Sequence, residues 1–281
     1  MRLRLGREDI VLRATCRPLV ALLAITLVPA RVVAQAIAPP DRPPGTALEY
    51  RIERLAETGR DLNVRFTAGQ LAVLEKLNRM EMSRLPRLEQ LVVPLAWHDD
   101  DLQYSPFPMR YPAAAQLAKL SVVDQPAQAF AAYEEGRLVR WGPVSSGRQA
   151  YPTPSGLFHL NWRSPGRRST VNPQWYMEWY FNFDNARGLA LHRYTLPGYP
   201  ASHACVRLLE RDAIWIYGWG EGWTLGARGQ VLEQGTPLLI TGRYAFVMLP
   251  PWRSLEHLAR GINLPDGVLQ KLAKHAVVEK T

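Results

Sequence analysis

Apolar and polar positions change rhythm several times along this chain, and each change marks a different element. Tyr50-Arg51-Ile52-Glu53-Arg54-Leu55 alternates with the period of two that predicts a short strand. Thr67 then stands where a helix cap is wanted, and Leu71, Leu74, Leu77 and Met80 follow at helical spacing. Leu91-Val92-Val93 is a compact apolar strand stopped by Pro94. Residues 48–96 thus predict a small βααβ module. The stretch 97–121 is rich in Pro and Asp, keeps neither period, and reads as an irregular connector.

From Val122 onward, short alternating segments recur with turn signals between them. Strands are predicted over 127–133 and 138–144, joined at Glu134-Glu135-Gly136-Arg137, and over 156–162, 179–183, 188–192 and 237–241. One helix is predicted from near Glu210 through Ala213, Ile214 and Tyr217. Residues 122–245 therefore predict a mainly β body. The tail, 246–281, has helical spacing from Ser254 to Lys274 and is expected to pack against that body. No internal repeat is evident.

The first 36 residues have a different pattern. Arg2, Arg4, Arg7, Arg13 and Arg17 precede an apolar run over 19–28, and Ala34-Gln35-Ala36 offers the small residues of a cleavage site. That run is about half the roughly 20 residues a spanning helix needs. Residues 1–36 are accordingly read as a signal peptide, with an uncleaved anchor as the alternative, and residues 37–47, rich in Pro, as a linker. The mature protein is expected outside the cytoplasm, in the periplasm or cell wall, with no stable membrane span. Cys16 precedes the apolar run and is poorly placed for lipid attachment.

Composition sharpens this picture. Apolar residues make up 47 % and charged residues 21 % of the 281, which excludes a disordered chain. The formal charge is +9, of which the leader carries +4 and the rest +5. A mildly basic exported protein suits an acidic polymer. The aromatic-basic pattern of a nucleic-acid binder is absent, so no nucleic-acid partner is expected.

Without the leader one cysteine remains, Cys205. A single thiol in an oxidising compartment forms no internal disulfide, so it is either buried and inert or kept for reactivity. The segment 191–208 holds this thiol together with His192 and His203. Imidazole is the natural base for a thiol near neutral pH, which makes this a candidate Cys–His nucleophilic site. His192 ends an apolar strand, and the Pro- and Gly-containing stretch 193–201 can return Cys205 towards it. No Asp or Glu lies in the segment, so a backbone carbonyl, that of Arg193 for instance, is the natural orienter of the base. Backbone N–H groups around Ala204 and Cys205 can form an oxyanion hole. A zinc site is the weaker alternative, since His-x-Cys is unusual spacing and a fourth ligand is not evident; an inert thiol is another. The pattern calls for no metal and no cofactor.

Ser202-His203-Ala204-Cys205-Val206-Arg207-Leu208 resembles the Ser-His-Gly-Cys-x-Arg-Leu signature of the L,D-transpeptidase catalytic domain, and His192 matches that family's separate upstream histidine. The resemblance extends over roughly 122–241. It includes Gly147 and Thr153-Pro154-Ser155-Gly156, Met177 and Phe183 ahead of Ala190-Leu191-His192, Gly198-Tyr199-Pro200-Ala201, and Gly235-Thr236-Pro237. It implies a β-sandwich-like fold and a cysteine acyltransferase that acts on peptidoglycan stem peptides. Cys205 is then the nucleophile, His192 the general base, and His203 a further site residue. Ser202 positions the turn, and Arg207 holds a substrate carboxylate, with a structural ion pair as its alternative role. The product is a 3→3 cross-link or the attachment of a wall-anchored lipoprotein. A hydrolytic variant and a catalytically silent wall-binding protein are the alternatives.

The sequence departs from the family at Ala204 and Arg193, where relatives carry glycine. A positive φ at position 204 would strain an alanine by about 1–2 kcal/mol. The insertion over 162–180, with Arg167, Arg168, Trp175, Tyr176 and Trp179, reads as a lid or as aromatic packing. The 48–96 module resembles a lysin-motif glycan-binding fold, most closely in its second half, and lacks that fold's Gly-Asp-Thr entry.

Overall fold

The computed structural model describes residues 48–265, 267 and 269. The leader and linker, and nearly all of the tail beyond 265, lie outside the described residues.

Two strands open and close the first module: β1 (Tyr50–Arg54) pairs antiparallel with β2 (Gln90–Pro94), Ile52 opposite Val92. Three helices lie between them, α1 (Leu55–Thr58), α2 (Leu62–Arg65) and α3 (Ala68–Asn78), followed by a 3₁₀ turn over Met82–Arg87. Leu55, expected to end the strand, begins a helix instead. Thr67 and Gln70 close a reciprocal capping box at the start of α3, so two otherwise orphaned N–H groups are satisfied. Leu55, Leu62, Leu71, Leu74, Leu85 and Leu91 form the module's own core.

The second part is a nine-stranded mixed sheet. In chain order its strands are β3 (Lys119–Asp124), β4 (Ala129–Glu134), β5 (Arg137–Ser145), β6 (Gly156–His159), β7 (Arg163–Arg168), β8 (Tyr176–Asp184), β9 (Leu189–Arg193), β10 (Val206–Leu208) and, after helix α4 (Glu210–Trp219) and a small hairpin of β11 (Thr224–Leu225) and β12 (Val231–Glu233), β13 (Pro237–Thr241). Their spatial order is β6-β13-β3-β4-β5-β10-β9-β8-β7. The β4–β5 turn carries positive φ at Glu135 (48°) and Gly136 (73°), the conformation a two-residue hairpin loop demands.

Alternation along the central strands feeds two cores. Val122, Ala131 and Leu239 face one side with Trp141, while Val123, Phe130 and Leu238 face the other with Phe181, Leu191 and Val206. The sheet curls until its two ends meet, Phe158 of β6 standing edge-on to Phe183 of β8 at 5.3 Å. One curled sheet thereby achieves the sandwich-like packing. Helix α4 covers its inner core with Ala213 and Ile216. Short α5 (Leu255–Arg260) follows β13.

The module rests on the first core through Val73 and Leu77 of α3. At the end of α3, Arg79 is wholly buried, donates from Nε to the Ala127 carbonyl at 2.8 Å, and lies over Trp141 and Trp252. Burial lowers its pKa to about 9. The next two residues reach further: Met80 bridges to Pro197, and the Glu81 N–H donates to the Leu196 carbonyl at 3.1 Å. The module therefore grips the loop that leads into the cysteine turn. No helix among the described residues is long and apolar enough to cross a membrane.

Candidate active site

Parallel pairing of β9 with β10 sets His192 opposite Arg207 and Leu191 opposite Val206. Leu191 and Val206 enter the inner core, against which Cys205 also packs, and His192, Cys205 and Arg207 come together at one wall. There they line one cavity of about 530 Å³, together with His203, Ser202 and Trp175.

The loop between the strands is tied down at several points. Arg207 Nη1 donates to the Thr195 carbonyl at 3.4 Å, and Ser145 Oγ donates to the Tyr199 carbonyl at 2.8 Å. Gly198 sits at φ 87°, and a Cβ there would lie 2.7 Å from Met80 Cε. Ser202 enters a parallel bridge with Gly147, its N–H bonded to the Ser146 carbonyl at 3.0 Å. Its hydroxyl donates to the Cys205 carbonyl and closes the cysteine turn. Thr153 clamps the same turn: Oγ1 donates to the Ala204 carbonyl at 2.9 Å and accepts from the Gly147 N–H at 2.8 Å. Ala204 adopts φ 76°, the left-handed conformation for which glycine is suited.

His192 is 4 % exposed, and its Nδ1 lies 2.9 Å from the Arg193 carbonyl. A carbonyl only accepts, so Nδ1 carries the proton and Nε2 presents its lone pair. Burial lowers the imidazole pKa from 6.5 to about 4, the Arg193 hydrogen bond opposing the drop and the Arg207 charge adding to it. Burial also pushes the Cys205 thiol above its ordinary value, against weaker opposition from the Ala190 backbone and Arg207. At neutral pH the site thus rests as neutral imidazole and neutral thiol. The thiol's own hydrogen bond runs to the Gly188 carbonyl at 4.0 Å. Among the described residues no hydrogen bond joins the sulfur to either imidazole, although both rings share its cavity.

His203 takes a different position from His192. Its ring stacks on Tyr151, centroids 3.4 Å apart, with Trp175 at 6.2 Å. It forms an aromatic wall. Arg207 lies over the Tyr194 ring at 4.6 Å and enters no ion pair among the described residues; burial lowers its pKa. Arg193 does not bring its side chain to the cavity: the guanidinium pairs with Glu178 at 3.0 Å, at a half-exposed edge of β8 and β9. Its contribution to the site is its backbone carbonyl. The N–H groups of His203, Ala204 and Cys205 donate no hydrogen bond among the described residues.

The insertion over 162–180 forms the β7–β8 hairpin, with Arg167, Trp175 and Met177 on the cavity wall. Thr153 and Tyr151 were given no individual role from sequence. For Thr153 the signal was present, because the spacing of Gly147 and Thr153-Pro154-Ser155-Gly156 is what the clamp requires. Tyr151 had no such signal. Among the described residues no group of three or more His, Cys, Asp or Glu side chains could hold a metal ion.

No curated protein matches the chain. Among solved structures, it is similar to an L,D-transpeptidase from Stackebrandtia nassauensis, at 23 % identity over 45 % of this chain and 57 % of that one, TM-score 0.37. It is also similar to one from Mycobacterium smegmatis, at 20 % identity over 44 % and 59 %, TM-score 0.36. An LD transpeptidase solved in complex with imipenem matches at 18 % identity over 44 % and 59 %, TM-score 0.36. The chain spans less than two thirds of each. Residues 118–240 match the family model of the L,D-transpeptidase catalytic domain, a span that contains every strand from β3 to β13 save their outermost residue, Thr241. The nine-stranded part of this chain is thus the part that matches the L,D-transpeptidase catalytic-domain model.

Proposed function

We propose that the protein is an exported L,D-transpeptidase that transfers peptidoglycan stem peptides through a Cys205 acyl-enzyme. The observation that carries this reading is the shared cavity of a cysteine and an imidazole whose Nδ1 is held by a backbone carbonyl, which leaves Nε2 free to accept a proton.

The donor is a stem whose third residue offers its carbonyl carbon. Cys205 Sγ forms a bond to that carbon as its proton passes to His192 Nε2. The oxyanion takes hydrogen bonds from the free N–H groups of the cysteine turn, where one such donor is worth about 10²–10³ in rate. The C–N bond then breaks, the departing D-residue amine takes the proton from His192, and a thioester remains. An acceptor amine attacks the thioester, its proton passes to His192, and the thiol is restored. With a second stem as acceptor the product is a 3→3 cross-link; with a lysine it is a protein attached to the wall. With water the same steps give a carboxypeptidase or amidase. Arg207, half-buried and without a carboxylate partner among the described residues, is the group assigned to a stem carboxylate. The 48–96 module is read as the part nearest the glycan, or as a spacer derived from a lysin motif.

A carbapenem tests the chemistry. Wild type and Cys205→Ala are incubated with imipenem and weighed by intact mass spectrometry. One covalent adduct on wild type and none on the variant supports the reading. Folded wild type that stays unmodified, and that releases no product from purified muropeptides, favours the silent wall-binding protein instead.

A further inference from the structure

The strongest unexplained surface follows β13. Phe246, Val247, Met248 and Leu249 are consecutive and exposed, at 39 %, 92 %, 67 % and 65 %. Soluble proteins expose apolar residues singly and keep contiguous patches small, so four in a row at a loop tip need a cause. The loop is anchored at its start. The Gly242 carbonyl accepts from Gln125 Nε2 at 2.9 Å and from Ser155 Oγ at 2.6 Å, and Met248 turns back on the Ala245 carbonyl at 3.1 Å. At its base, Tyr244 packs on Phe246 at 5.0 Å and on the buried Trp252 at 6.1 Å. Arg243 and Arg253 flank the segment, and neither enters an ion pair among the described residues.

We infer that this loop docks the domain onto an anionic lipid surface, with residues 246–249 entering the headgroup–acyl boundary and Arg243 and Arg253 meeting the phosphates. Two features favour a bilayer over a protein partner. A stable protein interface takes roughly 20–30 residues a side and a shaped recess, whereas this tip has four apolar residues with an arginine a few positions to either side. A bilayer needs no complementary pocket, and it rewards an apolar tip, an aromatic at the base and arginines whose stems lie along the boundary while their heads stay in phosphate. The loop's anchor is also close to the cavity: Ser155, which holds Gly242, is adjacent to Pro154 on the cavity wall. Docking would therefore hold the cavity rim next to the membrane, whichever reaction the cavity performs.

The test reads the tip itself, because the apolar leader of the full chain can bind lipid on its own. Val247→Cys is labelled with an environment-sensitive fluorophore in the Cys16→Ser, Cys205→Ala background and titrated with phosphatidylethanolamine–phosphatidylglycerol vesicles. The expected result is brightening of the label, quenching by lipids that carry a shallow acyl-chain quencher, and an apparent affinity that falls at least about tenfold in the same labelled background with Phe246→Asp and Leu249→Asp added. Arg243→Glu is expected to weaken binding and flatten its salt dependence. A label that stays dark while the chain sediments with vesicles overturns the inference. A label that brightens without lipid as the chain dimerises also overturns it, in favour of a contact between copies. Because no readout depends on turnover, failure of this inference and failure of the proposed activity are separately visible.

Discussion

The depressed pKa of His192 makes a prediction about stability that needs no substrate. In the unfolded chain this imidazole titrates near 6.5; in the fold it titrates near 4, because burial withholds solvent from the cation. Between those values the unfolded state binds the extra proton, so stability rises with pH across the window and is lost as pH falls from 6.5 towards 4. Above 6.5 the group is neutral in both states and contributes no slope. Each pH unit inside the window is worth about 1.4 kcal/mol, so the whole interval amounts to ~3 kcal/mol at pH 4. His192→Gln removes the titration while keeping a donor for the Arg193 carbonyl. Urea unfolding of both proteins from pH 8 to pH 4 isolates this residue from other titrating groups, including His159, whose pKa burial also lowers. Wild type is expected to lose ~3 kcal/mol more than the variant between pH 7.5 and 4, with the two curves parallel above 7. Parallel curves throughout would refute the buried, neutral imidazole, and with it a base whose Nε2 is unprotonated at working pH.

Two further substitutions probe the frame around that base. Thr153→Val should cost about 1–3 kcal/mol, since it orphans the Gly147 N–H and the Ala204 carbonyl together; the imipenem acylation rate should fall with it and recover in Thr153→Ser, and an unchanged rate in the valine variant would show that the clamp does not matter to the nucleophile. Gly198→Ala forces a side chain into φ 87° and against Met80 Cε, so urea midpoints should report a loss of about 1–2 kcal/mol, of which Met80→Ala restores the contact part and not the backbone part.

The β body was legible because its residues obey two rules at once. Val122 and Val123, or Phe130 and Ala131, split between opposite cores, which is the period of two that the sequence displays. The α3 cap was legible for a local reason too, as Thr67 and Gln70 need only each other. What escaped was set by tertiary contact. Strand β7 reads Arg-Ser-Pro-Gly-Arg-Arg, which has no strand propensity, and it pairs because β8 presents an edge and Gly166 lets Tyr176 approach. In the connector, Tyr104, Phe107, Tyr111 and Leu117 keep no period, yet all are buried in the first core. Within the site, the Arg193 carbonyl could be named as orienter because no acid was at hand; the stacking of His203 on Tyr151 depends on a loop fifty residues away and left no mark on the spacing.

The two pKa shifts also bear on how Cys205 can persist as a free thiol. A thiol raised above its ordinary value beside an imidazole lowered to about 4 does not favour a thiolate–imidazolium pair, because burial penalises both charged forms. Arg207 does not reverse this, because the same positive charge that favours the thiolate disfavours the imidazolium. On the proposed reaction, the proton moves as the acyl carbon accepts the sulfur's electrons and the new oxyanion meets the N–H groups of the turn. Oxidants react with thiolates, and a thiol that ionises only inside the acyl-transfer transition state is protected from them between turnovers. On the proposed reaction, reactivity and resistance to oxidation are set by one cause, the burial of both partners in a cavity that substrate completes.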